Sequence, residues 1–443
     1  MKRFIALIVT SLLVCNTSAL FSQQTQAMAY PLTESDGTFI RKVSDNGMWA
    51  VGYCSEGDQY TRATLWDFNT FASRKIDQGQ QCGAFDVSDD GRVVVGSYND
   101  MPAYWCDEVW TILPMPIDNG LGWVSSVTAD GSSMVGRVFT PSYGRCYACY
   151  WCDGELQEVH HDDVDRTGMN AYFNELNDIS ADGNTILGCL NYVVLPNRTA
   201  FLMEGGQYHM FGSSLYDPQQ GGSEWNFFDE ISMSPNGKWV TGAAYWVASL
   251  GGSDEYYCPF LYSVETDELE VFTDAADVAG FAVDDNGNVY GITPMSFPIR
   301  QALMLKDGQW VSLDDELLQQ YGLDVQSELG HSLGNLMSVS SDGSTIVGVS
   351  GLNTYNWVVK IFHDTNISHS TASTMRVTAR GGRVIVSKNV RHITICDILG
   401  RCVMNSTLER QVVDVSGWPS GVYVVTMMDD NGIIASDKVV IGM

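Results

Sequence analysis

Basic side chains are scarce in this chain: 24 Lys and Arg stand against 53 Asp and Glu in 443 residues, a formal net charge of −29. Two of the basic residues, Lys2 and Arg3, lie at the extreme N-terminus, and residues 375–443 carry eight basic and six acidic groups. The stretch between them therefore holds 14 basic residues and a net charge of about −33. A surface of that sign repels nucleic acid and anionic lipid, and neither is expected as a partner. Long apolar runs are also missing, because after residues 4–15 nothing approaches the ~20 residues that a membrane helix needs. The sequence has no phosphate-cradling glycine loop, no nucleophile elbow and no zinc-protease helix motif, so it nominates no catalytic residue and no cofactor. It has no repeated arginine position either, which disfavours a sialidase-like carboxylate clamp.

The N-terminus, Met1-Lys2-Arg3 followed by an apolar run to Cys15, has the charged and hydrophobic regions of a secretory signal. Cleavage is expected between Ala19 and Ala29, which defines a signal region over residues 1–29. Export leaves the reducing cytosol behind, so disulfides among the ten cysteines after Cys15 are permitted, with a pairing that sequence alone does not give.

Self-comparison of the body finds one unit repeated seven times. Its core is an apolar residue, a hydroxyl residue, one variable residue and an Asx-Gly pair, followed by a strand that ends in glycine. The hydroxyl-to-glycine turns are Ser44 to Gly47, Ser88 to Gly91, Thr128 to Gly131, Ser180 to Gly183, Ser234 to Gly237 and Ser340 to Gly343; a sixth copy in chain order, Asp284 to Gly287, replaces the hydroxyl with a carboxylate. Asx-Gly pairs suit the type I′ turn of a β-hairpin, and the hydroxyl can bond back to turn amides, so the motif is explained by local structure. A second apolar strand follows each hairpin, as in Ala63-Thr64-Leu65-Trp66, and a further turn and strand follow most of these. Trp66, Trp105 and Trp151 recur at one strand position and are expected in the core.

Four short antiparallel strands per unit is the pattern of propeller blades. The expected fold is all-β: a seven-bladed β-propeller over residues 30–362, a linker over 363–374 and a small immunoglobulin-like β-sandwich over 375–443. The seventh unit lacks a fourth strand, and the mature N-terminus around Ala29 to Leu32 is expected to supply it, which would remove an exposed sheet edge. The repeat resembles the HAF-type extracellular repeat. That resemblance implies a propeller architecture and leaves activity open, because propellers host hydrolases, lyases, binders and scaffolds alike.

In the last 70 residues, Asp397 with Gly400 and Arg401, Asp414 with Ser416, Gly421 with Tyr423, and Lys438 occur in an order that looks like the sorting domain of the type IX secretion system, of the kind found in Bacteroidetes. Trp418-Pro419-Ser420 departs from the usual residues before Gly421. The resemblance implies the type IX machinery as a partner, passage through the outer membrane, and a secreted or surface location.

Other candidate sites have plainer readings. Cys146, Cys149 and Cys152 have metal-like spacing, but a step of three along a strand changes face, so disulfides or buried thiols are expected there. Cys106 with Cys152, and Cys396 with Cys402, are possible bridges. The run His160-His161-Asp162-Asp163-Val164-Asp165 reads as a solvated acidic loop. Aromatics in irregular insertions, Tyr208, Trp225, Tyr256 and Tyr257, are the candidate binding face, because insertions map to the ends of such a frame. The expected function is non-catalytic binding of a glycan or surface protein. The alternative is a glycan-degrading hydrolase or lyase with dispersed carboxylates in the central funnel.

Overall fold

The computed structural model describes residues 26–32, 38–56, 59–141, 146–157, 171–192, 198–210, 224–227, 231–247, 255–275, 278–293, 300–350, 355–362, 377–380, 382–387, 390–397, 402–408, 410–419, 421–429 and 434–441. The signal region up to residue 25, the acidic run 160–165 and the whole linker 363–374 lie outside them.

Each repeat forms antiparallel strands in chain order. The first sheet is Phe39–Val43, Trp49–Glu56, Gln59–Asp67 and Ala72–Lys75, and the second is Cys82–Val87, Val94–Tyr98, Met101–Cys106 and Val109–Ile112. The third and fourth repeats, which begin with Leu121–Val127 and Ala171–Ile179, are joined by one parallel pair, Cys146 with Phe173. The fifth repeat is built on Trp239–Val247 and the sixth starts at Ala279–Val283. The last sheet combines Asn335–Val339, Thr345–Val349 and Asn356–Phe362 with the N-terminal strand Gln26–Leu32, which runs antiparallel to Asn356–Phe362 from Gln26 opposite Phe362 to Leu32 opposite Asn356.

The repeated turn owes its shape to two side chains. Ser88 Oγ donates to Asp90 Oδ1 at 2.8 Å and accepts from the Val93 amide at 3.0 Å, while Asp90 Oδ1 also accepts from the Arg92 amide at 2.9 Å. The same set recurs at Ser44, Thr128, Ser180, Ser234 and Ser340. In the sixth repeat Asp284 takes over, accepting from the amides of Asn286 and Asn288. The turn is not type I′. Only its glycine has positive φ, for example +69° at Gly91, and the Gly91 amide donates to the Ser88 carbonyl. An Asx side chain that accepts from the amide two residues on works with ordinary φ, so the left-handed position falls on glycine alone. Consecutive positive φ values, the mark of type I′, occur instead at other turns, among them Asn99-Asp100 and the outer hairpins Asp107-Glu108, Asp153-Gly154, Gly205-Gly206 and Asp307-Gly308.

These turns are bonded to one another. The Asp89 amide donates to the Ala129 carbonyl, Ala129 to Ala181, and Ala181 to Pro235. Pro235 has no amide proton, and the next link is made by the Asn236 amide to Asp285 Oδ1 at 2.8 Å. Asp285 then donates to Ser341, Ser341 to Asp45, and the Asn46 amide to Asp89 Oδ1. At the other end of the strands Asn356 ties the last repeat to the first, its amide group donating to the Thr38 carbonyl and its Oδ1 accepting from the Ile40 amide.

Apolar cores lie between successive sheets. Ile40, Val43, Ala50 and Trp66 of the first repeat pack with Val347, Val349 and Val358 of the seventh, and Val51, Ala63 and Leu65 pack with Cys82, Ala84 and Val94 of the second. Trp66, Trp105 and Trp151 are fully buried, as their fixed strand position predicts. Two short helices, Leu313–Tyr321 and Val325–Leu329, intervene before the seventh repeat. Ser312 caps the first by accepting from the Asp315 amide, with Asp314, Asp315 and Glu316 in its opening turn. The strand before it, Gln309–Ser312, ends at the cap residue itself.

The C-terminal residues form two further sheets, one of Val377–Arg380, Arg383–Val386 and Val412–Asp414, the other of Cys402–Thr407, Val390–Asp397, Gly421–Asp429 and Ile434–Ile441. Val384, Val390, Ile393, Ile395, Val425 and Met427 form their shared core. Cys82, Cys106, Cys146, Cys149 and Cys152 are free thiols, so the candidate bridge between Cys106 and Cys152 is not formed.

Candidate functional site

The inner strand of a repeat carries one extra residue just before the turn. The pairing register shifts between Ile40 and Lys42, Ala84 and Asp86, Val124 and Ser126, Leu176 and Asp178, Gly280 and Ala282, and Leu336 and Ser338. Such a bulge bends the strand and re-aims side chains. The residues that follow it, together with Ser232 in the fifth repeat, are Lys42, Asp86, Ser126, Asp178, Ser232, Ala282 and Ser338, a column that is polar in every repeat but the sixth.

Four of these residues meet in a buried cluster. The Ser126 hydroxyl lies 2.8 Å from Asp86 Oδ2 and 2.7 Å from Asp178 Oδ1, and Lys42 Nζ lies 3.7 Å from Asp178 Oδ2. Asp86 also accepts from the amides of Val87 and Val127, and Asp178 from those of Ile179 and Met233. The Val127 and Met233 bonds cross from one repeat to the next, as does the bond from the Val43 amide to Ser338 Oγ. The one hydroxyl proton of Ser126 serves one carboxylate at a time. Burial pushes the Asp86 carboxyl up to about 6, with Lys42 opposing and Asp178 adding to the rise. Burial, reinforced by Asp86, pushes Asp45 up to about 8. Burial alone would lower Lys42, but the carboxylates of Asp178, Asp86 and Asp45 outweigh it and hold the ammonium above its ordinary value.

Beside this cluster lies a cavity of about 260 Å³, lined by Lys42, Asp45, Ser126, Asp178, Ser232 and Ser338 together with Arg41, Asn177, Phe281 and Met337. The last four each occupy the extra position of their bulge. A separate run of half-buried rings crosses the first three repeats: Tyr53 to Phe85 at 4.9 Å, Phe85 to Trp123 at 6.0 Å and Trp123 to Phe139 at 5.7 Å. Arg41 lies over Tyr53, and Arg137, which is paired with buried Glu175, lies over Trp123 at 3.9 Å. No three His, Cys, Asp or Glu among the described residues are grouped to hold a metal ion. Cys146 and Cys149 are buried, and burial pushes their thiols up to about 11 and 12.

None of these residues is in the sequence-derived binding face. Tyr208 lies on Gln207–Met210 and packs on buried Phe201 at 5.7 Å. Trp225 stands opposite Trp246, and Trp246 opposite Tyr256, across three adjacent strands; Tyr257 faces Tyr245 in the next register position. The buried cluster was missed because the repeated motif begins one residue after it. The signal that could have found it is the column two residues before each motif hydroxyl, where Lys, Asp and Ser interrupt apolar strands.

Of the sorting-motif residues, Asp414 accepts from the amide and hydroxyl of Ser416 at 3.0 and 2.7 Å. Tyr423 donates to the Pro419 carbonyl and lies against Trp418, the departure from the usual pattern, at 5.5 Å. The register sets Asp397 opposite Tyr423, Gly421 opposite Ile441 and Lys438 opposite Val424. Gly400 and Arg401 lie outside the described residues.

Residues 371–442 match the secretion system C-terminal sorting domain. This assigns the protein to type IX export and to the cell surface or the extracellular space. No curated protein matches the chain in sequence. Among solved structures it is similar to an oligogalacturonate lyase from Vibrio parahaemolyticus at 11% identity, covering 76% of this chain and 97% of that one with a TM-score of 0.50. It is also similar to an oligogalacturonate lyase in complex with manganese, at 14% identity, 76% and 94% coverage and a TM-score of 0.50. A third is the β-propeller domain of the Trilobed protease from Pyrococcus furiosus, at 7% identity, 93% and 95% coverage and a TM-score of 0.34. The chain is thus an all-β protein with propeller-type structural relatives, and at these identities the likeness concerns the frame alone.

Proposed function

We propose that this protein is an exported seven-bladed propeller acting as a non-catalytic binding module for a glycan or surface protein, carried by an immunoglobulin-like sorting domain. The chain of bonds from turn to turn and back to the first, and the pairing of Gln26–Leu32 with the last repeat, support a closed ring of seven blades. The observation that carries the binding role is the occupancy of the axial carboxylates. Every oxygen of Asp86 and Asp178 already meets a partner inside the fold: the Val87 and Val127 amides on Asp86, the Ile179 and Met233 amides with Lys42 at 3.7 Å on Asp178, and the Ser126 hydroxyl that the two share. Glycan-array and pull-down screening of the secreted protein is expected to return a ligand with no release of reducing ends or unsaturated products from polysaccharides.

A second reading, a glycan hydrolase or lyase, draws on one feature. Because Ser126 bridges them, the nearest oxygens of Asp86 and Asp178 are no more than about 5.5 Å apart, a separation that retaining glycosidases use. Product release that disappears in both Asp86→Asn and Asp178→Asn, in variants that still fold, would replace the binding reading with this one.

In this reading the signal is removed before Gln26, because later cleavage would cut into the strand that pairs with Asn356–Phe362, and the sorting domain is removed within residues 363–374. Intact mass of the protein from culture medium and from outer membrane of the native host is expected to show a species that starts upstream of Gln26 and ends in that linker. An uncleaved C-terminus held in the periplasm would contradict it.

A further inference from the structure

We propose that the axial cavity is a saccharide site that takes one neutral, hydroxyl-rich sugar ring at the end of a glycan. The proposal rests on the binding-module reading and gives that module its site and ligand class. The first ground is position. The turn motif repeats because the fold requires it, whereas the bulge residues that line the cavity differ from repeat to repeat: Arg41, Asn177, Phe281 and Met337. A bulge frees a side chain from the ladder, and here the freed side chains surround one space. The second ground is Asn177, whose Oδ1 is buried and meets no hydrogen-bond donor among the described residues although it lines the cavity. A buried acceptor without a donor is costly, and a ligand hydroxyl would satisfy it.

Size and lining set the ligand class. A volume of about 260 Å³ lies just below the usual range for small-molecule pockets and suits one ring. Arg41, Lys42 and Ser232 offer donors, Asn177 an acceptor, and Phe281 and Met337 apolar surface, which together match the alternating hydroxyls and C–H faces of a pyranose. A free anion is disfavoured by Asp45 and Asp178 on the same wall and by the acidic body, and a cation by Lys42 and Arg41.

The test is calorimetric titration of the secreted protein with glucose, galactose, mannose, galacturonate and glucosamine, repeated on Asn177→Leu and Ser232→Ala with melting temperature as the folding control. At least one neutral hexose is expected to bind, with affinity falling at least tenfold in Asn177→Leu and severalfold in Ser232→Ala, and both charged sugars are expected to bind more weakly. Tighter binding of galacturonate or glucosamine would overturn the ligand class. If no monosaccharide binds, while glycans still bind and lose affinity on Trp225→Ala or Tyr256→Ala, the site is wrong and the binding module stands. If no glycan or protein binds at all, the binding-module reading falls as well.

Discussion

Asp86 gives the molecule a titratable joint between its second and third repeats. Its carboxyl is raised in the folded state to about 6 from an ordinary value of 3.8, so folding takes up a proton between those values. The associated stability is fully present below about pH 4 and is lost as pH rises through 6; Asp45, raised to about 8, extends the loss in the same direction. Urea midpoints from pH 4.5 to 8 are therefore expected to fall on this account, and Asp86→Asn is expected to flatten the part of the curve near pH 6. At pH 5 the same variant should cost about 1–2 kcal/mol, because an amide NH₂ would replace one of the oxygens that accept from Val87 and Val127. An unchanged pH slope in Asp86→Asn would show that its proton is not coupled to folding. This residue is also where sequence reading stopped short. A lone aspartate in a strand carries no mark of its partners, and Asp178 and Ser126, 40 or more positions away, converge on it only after bulges in three separate strands.

At the scale of the element, the strand Gln26–Leu32 is the clearest case of a feature legible in the sequence. A seventh unit with three strands leaves an edge, and a spare β-compatible segment precedes the first unit. The structure pairs the two over seven residues and buries Ala27, Ala29 and Leu32. A chain starting at residue 33 is expected to lose about 3–5 kcal/mol, to melt roughly 5 °C lower or more, and to associate through the bare edge of Asn356–Phe362. A peptide of residues 26–32 added in excess should restore part of the loss, and a truncated chain with unchanged melting and monomeric behaviour would contradict this account. The turn type and the helices at 313–329 were not legible. Asx-Gly is compatible with two turn geometries, and only the bond from the Asx side chain to an amide two residues on selects between them. The helix begins where Ser312 caps a short acidic segment, Leu313-Asp314-Asp315-Glu316, directly after a strand, and the alternation of Trp310-Val311-Ser312-Leu313 conceals the change.

At the scale of the whole molecule, the repeat and the C-terminal sorting domain were readable, because each rests on local chemistry along the chain. Relations between repeats were not readable: the links between turns, the cavity at the bulges and the row of rings from Tyr53 to Phe139. These depend on sheets lying side by side, which no single strand records. The aromatics proposed from insertions and the row of rings that crosses the first three repeats are different residues for that reason.

The pairing of the first described strand with the last strand of the repeats also sets an order of events. The bond from the Ile40 amide to Asn356 joins residues 316 apart, and the strand pairing beside it spans a longer separation still. Contacts that remote in sequence carry the largest loop-closure entropy and form late. Emerging N-terminus first, the chain can assemble its early sheets one at a time, but Gln26–Leu32 cannot pair until residues 356–362 have been made and delivered. That pairing therefore reports that the whole repeat array has arrived, and a truncated product would keep its terminal strand unpaired and open to proteolysis.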